Sequence, residues 1–170
     1  MATSRTPKGA KEPSLRSAAA PNTSPLIVAH YPGTHSSFVM MLLNEWDPPR
    51  IQQAILAGRV SGSGLRAIRS ALKLTVEDMA HVLAVAARTI NRKEKAGAPL
   101  SVSEGDRAFR LARIADLAVD LIGNREKALA WLQTPNSYLG DKTPLQMLDT
   151  EVGCDFVTES LYSIAYGGVA

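Results

Sequence analysis

The sequence predicts an all-α chain, and three observations carry that prediction. Apolar residues make up 45% of the 170 residues but aromatics only 5%, so a core must come from Ala, Leu, Ile and Val. Apolar positions recur at helical spacing, as in Phe109, Ile114, Leu117 and Leu121. Between such segments stand residues that start and stop helices: the Pro48 and Pro49 pair, Thr75, Gly123, Thr143 before Pro144, and Thr150.

Taken in order, residues 1–35 read as a disordered basic leader. The first 25 are rich in Ser, Thr, Pro, Ala and Lys without any period, and hold four basic residues against one acidic. From Ser36 to Leu43 an apolar run predicts a short helix, which Pro48 and Pro49 end while opening the next; that one stops at Gly58. A Gly and Ser cluster, Ser61 to Gly64, is expected as a separator. Helices follow near residues 65–72, 75–83 and 86–95, then a longer one over residues 103–122 that Gly123 caps. Trp131 and Leu132 end a further helix that Pro135 stops; Asn136 and Gly140 suit turns. Thr143 caps a short helix with Pro144 at its first position, and Thr150 caps the last, along which Val157, Leu161 and Ile164 form an apolar stripe. Tyr166, Gly167 and Gly168 read as a flexible end. The expected division is residues 36–113 for the N-terminal helices and a DNA-binding helix-turn-helix, and residues 114–170 for a small C-terminal domain.

The helix-turn-helix rests on spacing. Thr75 with Asp78 three residues on reads as a capping pair, Ala80 supplies the small side chain where two helices cross, and Val85 and Ile90 fix the second against the first. Ala84 stands where glycine is usual, and Lys93 at a place that is often apolar. The second helix crowds Arg88, Thr89, Asn91, Arg92, Lys93 and Lys95 into one short stretch. Arg reads guanine and Asn reads adenine through paired hydrogen bonds, while Thr and Lys meet phosphates, so these six are the candidate DNA contacts. Arg66, Arg69 and Lys73 on the preceding helix are candidate backbone contacts. Readers of this kind bind as symmetric pairs, and the contact falls either to the N-terminal helices or to the long helix.

Charge divides the chain as well. Residues 65–113 hold ten Lys or Arg against five Asp or Glu, and residues 114–170 hold three against eight. A basic middle before an acidic end implies two partners, one a polyanion and one with positive charge. Enzyme readings do poorly. His30, His35 and His81 lack metal-ligand spacing, with His81 facing outward on a helix, so no metal or cofactor is expected. Cys154, the single cysteine, excludes an intrachain disulfide, and Asp149, Glu151 and Asp155 around it raise a thiol pKa. Gly62 and Gly64 lack the lysine of a phosphate loop. No secretory apolar region follows the basic N-terminus and no run approaches the roughly 20 apolar residues of a membrane span, so a cytoplasmic protein is expected, nucleoid-associated when on DNA.

The C-terminal third carries an ordered set of residues: Trp131, Leu132, Pro135, Asn136, Leu139, Gly140, Thr143, Pro144, Leu145, Leu148, Thr150, Gly153, Val157, Leu161, Ile164, Tyr166 and Gly167. Upstream stand Arg88, Thr89 and Arg92, then Asp106, Arg107, Arg110, Leu111, Ala112 and Arg113. Together these resemble the MbcA/ParS/Xre antitoxin family over about residues 50–170, with an Xre-like helix-turn-helix before a toxin-binding domain. Asp141 departs from the glycine expected after Gly140, and Gly168 is an extra small residue.

The resemblance implies a partner of the RES-domain class, toxins similar to ADP-ribosyltransferases that consume NAD. It implies that the C-terminal domain obstructs the toxin's active site, while the helix-turn-helix represses the operon as a homodimer. On it, Trp131, Pro135, Asn136, Leu139, Gly140, Thr143, Pro144, Thr150, Gly153, Tyr166 and Gly167 are the candidate toxin-binding residues, and Asp149, Glu151, Asp155 and Glu159 supply an acidic surface. The competing readings are a stand-alone regulator whose C-terminal domain senses a small ligand, and an adaptor with a degenerate DNA module.

Overall fold

Local signals in the sequence set the helix ends, and small residues at a few positions set how closely the helices approach. The computed structural model describes residues 38–43 and 47–167. The leader expected over residues 1–35, the start of the first helix at Ser36, and His30, His35 and Gly168 lie outside the described residues. The helices are α1 (Phe38–Leu43), α2 (Pro48–Leu56), α3 (Gly62–Ala71), α4 (Val76–Leu83), α5 (Ala87–Ala96), α6 (Val102–Ile122), α7 (Arg125–Gln133), α8 (Pro144–Met147) and α9 (Glu151–Tyr166), with a 3-10 turn at Ser137–Leu139. Among the described residues there are two isolated β-bridges, Ser61 with Pro99 and Asn136 with Lys142, and no strand. No helix there is long and apolar enough to cross a membrane.

Thr75, Thr143 and Thr150 cap helices as the sequence predicts, and Ser101 and Asn124 are further caps. The Thr75 hydroxyl accepts from the Asp78 amide and the Asp78 carboxylate accepts from the Thr75 amide, a reciprocal cap on α4. Ser101 with Glu104 caps α6 in the same way, and Thr143 with Gln146 caps α8. Asn124 and Thr150 cap α7 and α9 singly. Each such cap contributes about 1 kcal/mol.

One expectation is overturned at Ser61 to Gly64. This stretch is no separator: Ser61 caps α3, accepting from Gly64, and α3 begins at Gly62. The glycines are there for contact. A Cβ on Gly62 would overlap the Lys93 carbonyl of α5, and one on Gly64 would come within 2.7 Å of the Leu42 carbonyl oxygen in α1. Backbone thus meets backbone on both sides of α3, which only glycine permits.

The long helix α6 packs against α1, α2, α4, α7 and α9. Its packed side is small: Gly105, Ala108, Ala112, Ala115 and Ala118 are buried, with Leu111 and Ile114 beside them. Of the four apolar residues singled out on this helix, Ile114 is buried while Phe109, Leu117 and Leu121 are half-buried on its flanks. The buried residues of α1 through α9 form one continuous core, so the boundary expected after residue 113 falls inside a helix that both parts share.

Helix α1 is too short to hold itself together in water. It is held from α6, where the Asp116 carboxylate accepts from the Phe38 amide at 2.8 Å and the Val39 amide at 3.1 Å. The Arg125 guanidinium lies 4.5 Å over the Phe38 ring.

The last helix departs from expectation in register. Cys154, Val157 and Leu161 are fully buried and Gly153 and Ser160 join them, but Ile164 is 41% exposed. The packed stripe ends at Leu161. Tyr166, expected in a flexible end, is the final helical residue and stacks on Tyr162 with ring centroids 6.0 Å apart; Gly167 closes the helix at φ 75°.

The close approaches make a prediction. Gly62→Ala and Gly153→Ala, whose Cβ would overlap the Met147 carbonyl, should each lower the thermal midpoint with a loss of about 1–3 kcal/mol. Gly97→Ala, with nothing within 4 Å but a left-handed φ of 60°, should lose only about 1 kcal/mol. Equal losses at all three would remove the packing argument.

Candidate nucleic-acid interface and partner-binding segment

Helices α4 and α5 are joined by the turn Ala84, Val85, Ala86. Ala84 takes φ 51° and ψ 50°, the left-handed conformation that explains why glycine is usual there. The turn closes through Val85 N donating to the Ala80 carbonyl and Ala84 N to the His81 carbonyl, both at 3.0 Å. Alanine accepts this conformation at a cost of about 1 kcal/mol. Ala80 and Ile90 are buried where the helices meet, and Val85 packs against them.

With Ile90 inward, helical geometry puts Arg88, Asn91, Arg92 and Lys95 together on the opposite face, and all four are exposed. Thr89 sits half-buried at its edge. Lys93 is elsewhere. Its ammonium lies 2.6 Å from Glu104 Oε2 and 3.2 Å from the Pro99 carbonyl, with the side chain only 15% exposed. The usual apolar residue is replaced by one member of an internal ion pair, which takes Lys93 out of the outward face. Burial alone would raise the Glu104 pKa, but hydrogen bonds from Lys93 and Ser101 outweigh it and hold the carboxyl below its ordinary range.

Of the three basic residues on α3 and just after it, Arg66 and Lys73 are exposed. Arg69 is committed to the protein: Nε and Nη2 each donate to Glu94 at 2.7 Å and Nη1 donates to the Leu74 carbonyl at 3.2 Å. His81 is exposed as expected, and its Nε2 lies 3.1 Å from the Gln146 carbonyl oxygen, tying α4 to the end of α8. Arg107 of α6 donates to the Leu83 carbonyl at 2.8 Å and so satisfies the end of α4.

In the C-terminal segment most of the singled-out residues build the chain trace. Asn136 accepts from Tyr138 N and starts the 3-10 turn; Leu139 and Pro144 are buried; Thr143 and Thr150 cap helices; Gly153 admits the Met147 carbonyl. Gly140 and Gly167 take left-handed backbone. Asp141 does too, at φ 60°, which accounts for the glycine expected there and for aspartate as a tolerated substitute. Pro135 is exposed, Trp131 is half-buried and Tyr166 is 75% exposed.

Four exposed apolar side chains in this segment lay outside those singled out for contact: Tyr138, Val152, Phe156 and Ile164. In α9 apolar residues fall outside the buried stripe of Cys154, Val157 and Leu161 as well as within it, beside an exposed row of Glu151, Asp155 and Glu159. Glu151, Asp155 and Glu159 of the acidic surface are all exposed, and Glu151 also pairs with Arg110 at 3.0 Å. Cys154 is buried, and burial above all pushes its thiol to about 11; Arg110 opposes this and Glu151 adds to it. That thiol is no nucleophile. Beside α7 an open hollow is lined by Lys73, Glu126, Leu129, Ala130, Gln133 and Thr134.

Residues 52–113 match the antitoxin Xre-like helix-turn-helix domain, and residues 117–167 match the antitoxin Xre/MbcA/ParS C-terminal toxin-binding domain. The chain is similar to an Antitoxin Xre of Pseudomonas putida, 40% identical over 47% of this chain and 50% of that relative, so the match spans half of that relative's length. An Antitoxin Xre of Photorhabdus laumondii is 28% identical over 82% of this chain and 86% of its own. A Prs ADP-ribosylating antitoxin of Sphingobium sp. is 28% identical over 65% and 76%.

The Lys93 and Glu104 pair gives a test. Glu104→Gln leaves a shielded ammonium unpaired and should lose about 3 kcal/mol, while replacing both residues with Met should lose much less. Because the folded-state pKa of Glu104 is depressed, the pair's stabilisation is present above the ordinary carboxylate range and is lost as pH falls through the lowered value. Chemical denaturation across that range should show this acid limb in the native chain and a weaker one in Glu104→Gln; identical profiles would sink the assignment.

Proposed function

The chain belongs to the Xre/MbcA/ParS antitoxin family, and on that premise we propose that it is the antitoxin of a type II toxin-antitoxin pair, binding operator DNA through α5 and a toxin through residues 114–170. The family is one of binding proteins, and the chain is not an enzyme. The observation that carries the proposal is the four-residue exposed face of Arg88, Asn91, Arg92 and Lys95, joined by α6 to an acidic segment matched by a toxin-binding domain.

In this reading Arg88, Asn91 and Arg92 meet base edges and Lys95 meets phosphate, with Thr89 at the margin. Lys93 acts indirectly, by fixing α5 against α6. A homodimer places two copies of α5 about 34 Å apart in successive major grooves and represses the antitoxin's own operon. The toxin is of the RES-domain class, an NAD-consuming ADP-ribosyltransferase-like protein whose active site the C-terminal domain blocks. The acidic character of residues 114–170 supports this, since a pocket that holds an anionic dinucleotide is lined with positive charge. So does the name of the Sphingobium relative, which places ADP-ribosylation beside an antitoxin. The motif residues Trp131, Pro135, Asn136, Leu139, Gly140, Thr143, Pro144, Thr150, Gly153, Tyr166 and Gly167 shape the toxin-binding segment.

The two roles separate by mutation. Co-expressed with the neighbouring reading frame, the full chain should restore growth, and so should Arg88→Ala/Arg92→Ala. On DNA from its own upstream region, each arginine substitution should weaken binding by about 1–3 kcal/mol in fluorescence anisotropy, and Lys95→Ala should flatten the salt dependence. A chain that neither rescues growth nor binds the neighbour's product would overturn the antitoxin reading.

A further inference from the structure

We propose that the outward face of α9 is the toxin anchor: Val152 and Phe156, flanked by Asp155 and Glu159, insert into an apolar cleft rimmed by Lys or Arg on the toxin. This rests on the antitoxin reading and says which surface carries it. Among the described residues, eight large apolar side chains are exposed, and four of them, Val152, Phe156, Ile164 and Tyr166, are on α9. The other four are scattered singly, one each on α1, α2, α6 and the 3-10 turn. A concentration of that kind on one helix marks a binding surface, whereas single exposed residues do not.

Val152 and Phe156, one helical turn apart, are 65% and 47% exposed and point away from the buried Cys154, Val157 and Leu161. Their helix is fixed before any partner arrives. Thr150 caps it, Gly153 is seated on the Met147 carbonyl, and Arg110 holds Glu151. Little ordering entropy is therefore left to lose on binding at this face. Further along α9, Tyr166 adds exposed aromatic area and stacks on Tyr162.

Charge decides the occupant. Asp155 and Glu159 flank the apolar pair and are exposed, and the segment they belong to is acidic overall. A second copy meeting the same face about a two-fold axis would bring these carboxylates against their equivalents, and like charges across an interface oppose association. DNA is excluded on the same ground. A protein cleft with a basic rim is favoured.

The test uses the full chain and the purified product of the neighbouring reading frame, with affinity measured by calorimetry at two salt concentrations. Val152→Ser/Phe156→Ser should retain its thermal midpoint and DNA affinity, because both side chains are exposed and far from α5 in sequence, but lose at least tenfold in toxin affinity. Asp155→Lys/Glu159→Lys should also lose at least tenfold and lose the salt dependence of the native complex. Native affinity in both variants, in a chain that still neutralises, would overturn the surface and leave the antitoxin reading standing. A change in self-association with native toxin affinity would overturn it in favour of a dimer face. Failure of the unmodified chain to bind the neighbour's product would take down both.

Discussion

Five small residues along α6, Gly105, Ala108, Ala112, Ala115 and Ala118, set the distance at which everything else packs. A helix of this length spans about 30 Å, enough to touch α2 at Gly105 near its start, α1 at Asp116 in its second half, and α7 and α9 as well. Because the seam is made of methyl groups and one bare Cα, the neighbouring helices come close and contribute the bulk themselves, through Phe38, Ile55, Met79, Leu83, Leu132 and Leu161. An aromatic-poor composition is the sequence-level trace of this arrangement: a core of short side chains has little room for rings.

The pairs that surround the seam act mainly as locators. Lys93 on Glu104 and Arg69 on Glu94 both anchor α5, one against α6 and the other against α3. Charged groups at such shielded places contribute less net stability than hydrocarbon of equal volume would, but each has one good geometry. Helix α5 is thereby held at a defined angle by its inner side, while Arg88, Asn91, Arg92 and Lys95 are exposed on its outer side with no ion pair among the described residues.

How much of this was legible depends on whether the signal was local. Caps at Thr75, Thr143 and Thr150 and the left-handed turn at Ala84 follow from a few adjacent residues, and the helices begin and end close to where those residues put them. What depended on distant contacts was hidden. Lys93 looks like one more basic residue until Glu104 is brought to it, Arg69 likewise until Glu94 is, and the glycines at 62 and 64 imitate a linker until the carbonyls of Lys93 and Leu42 arrive. Ile164 shows the limit of periodicity, which cannot say where the neighbouring surface stops. The family motif in the C-terminal segment was recognisable because most of it is backbone-determining: caps, left-handed positions and a close approach. Contact residues such as Val152 and Phe156 carry no such signature.

The hydrogen bond between His81 and the Gln146 carbonyl joins α4 to the segment that leads into α9. If α5 and α9 hold the two partners proposed for them, any factor by which one partner changes the affinity for the other acts equally in both directions.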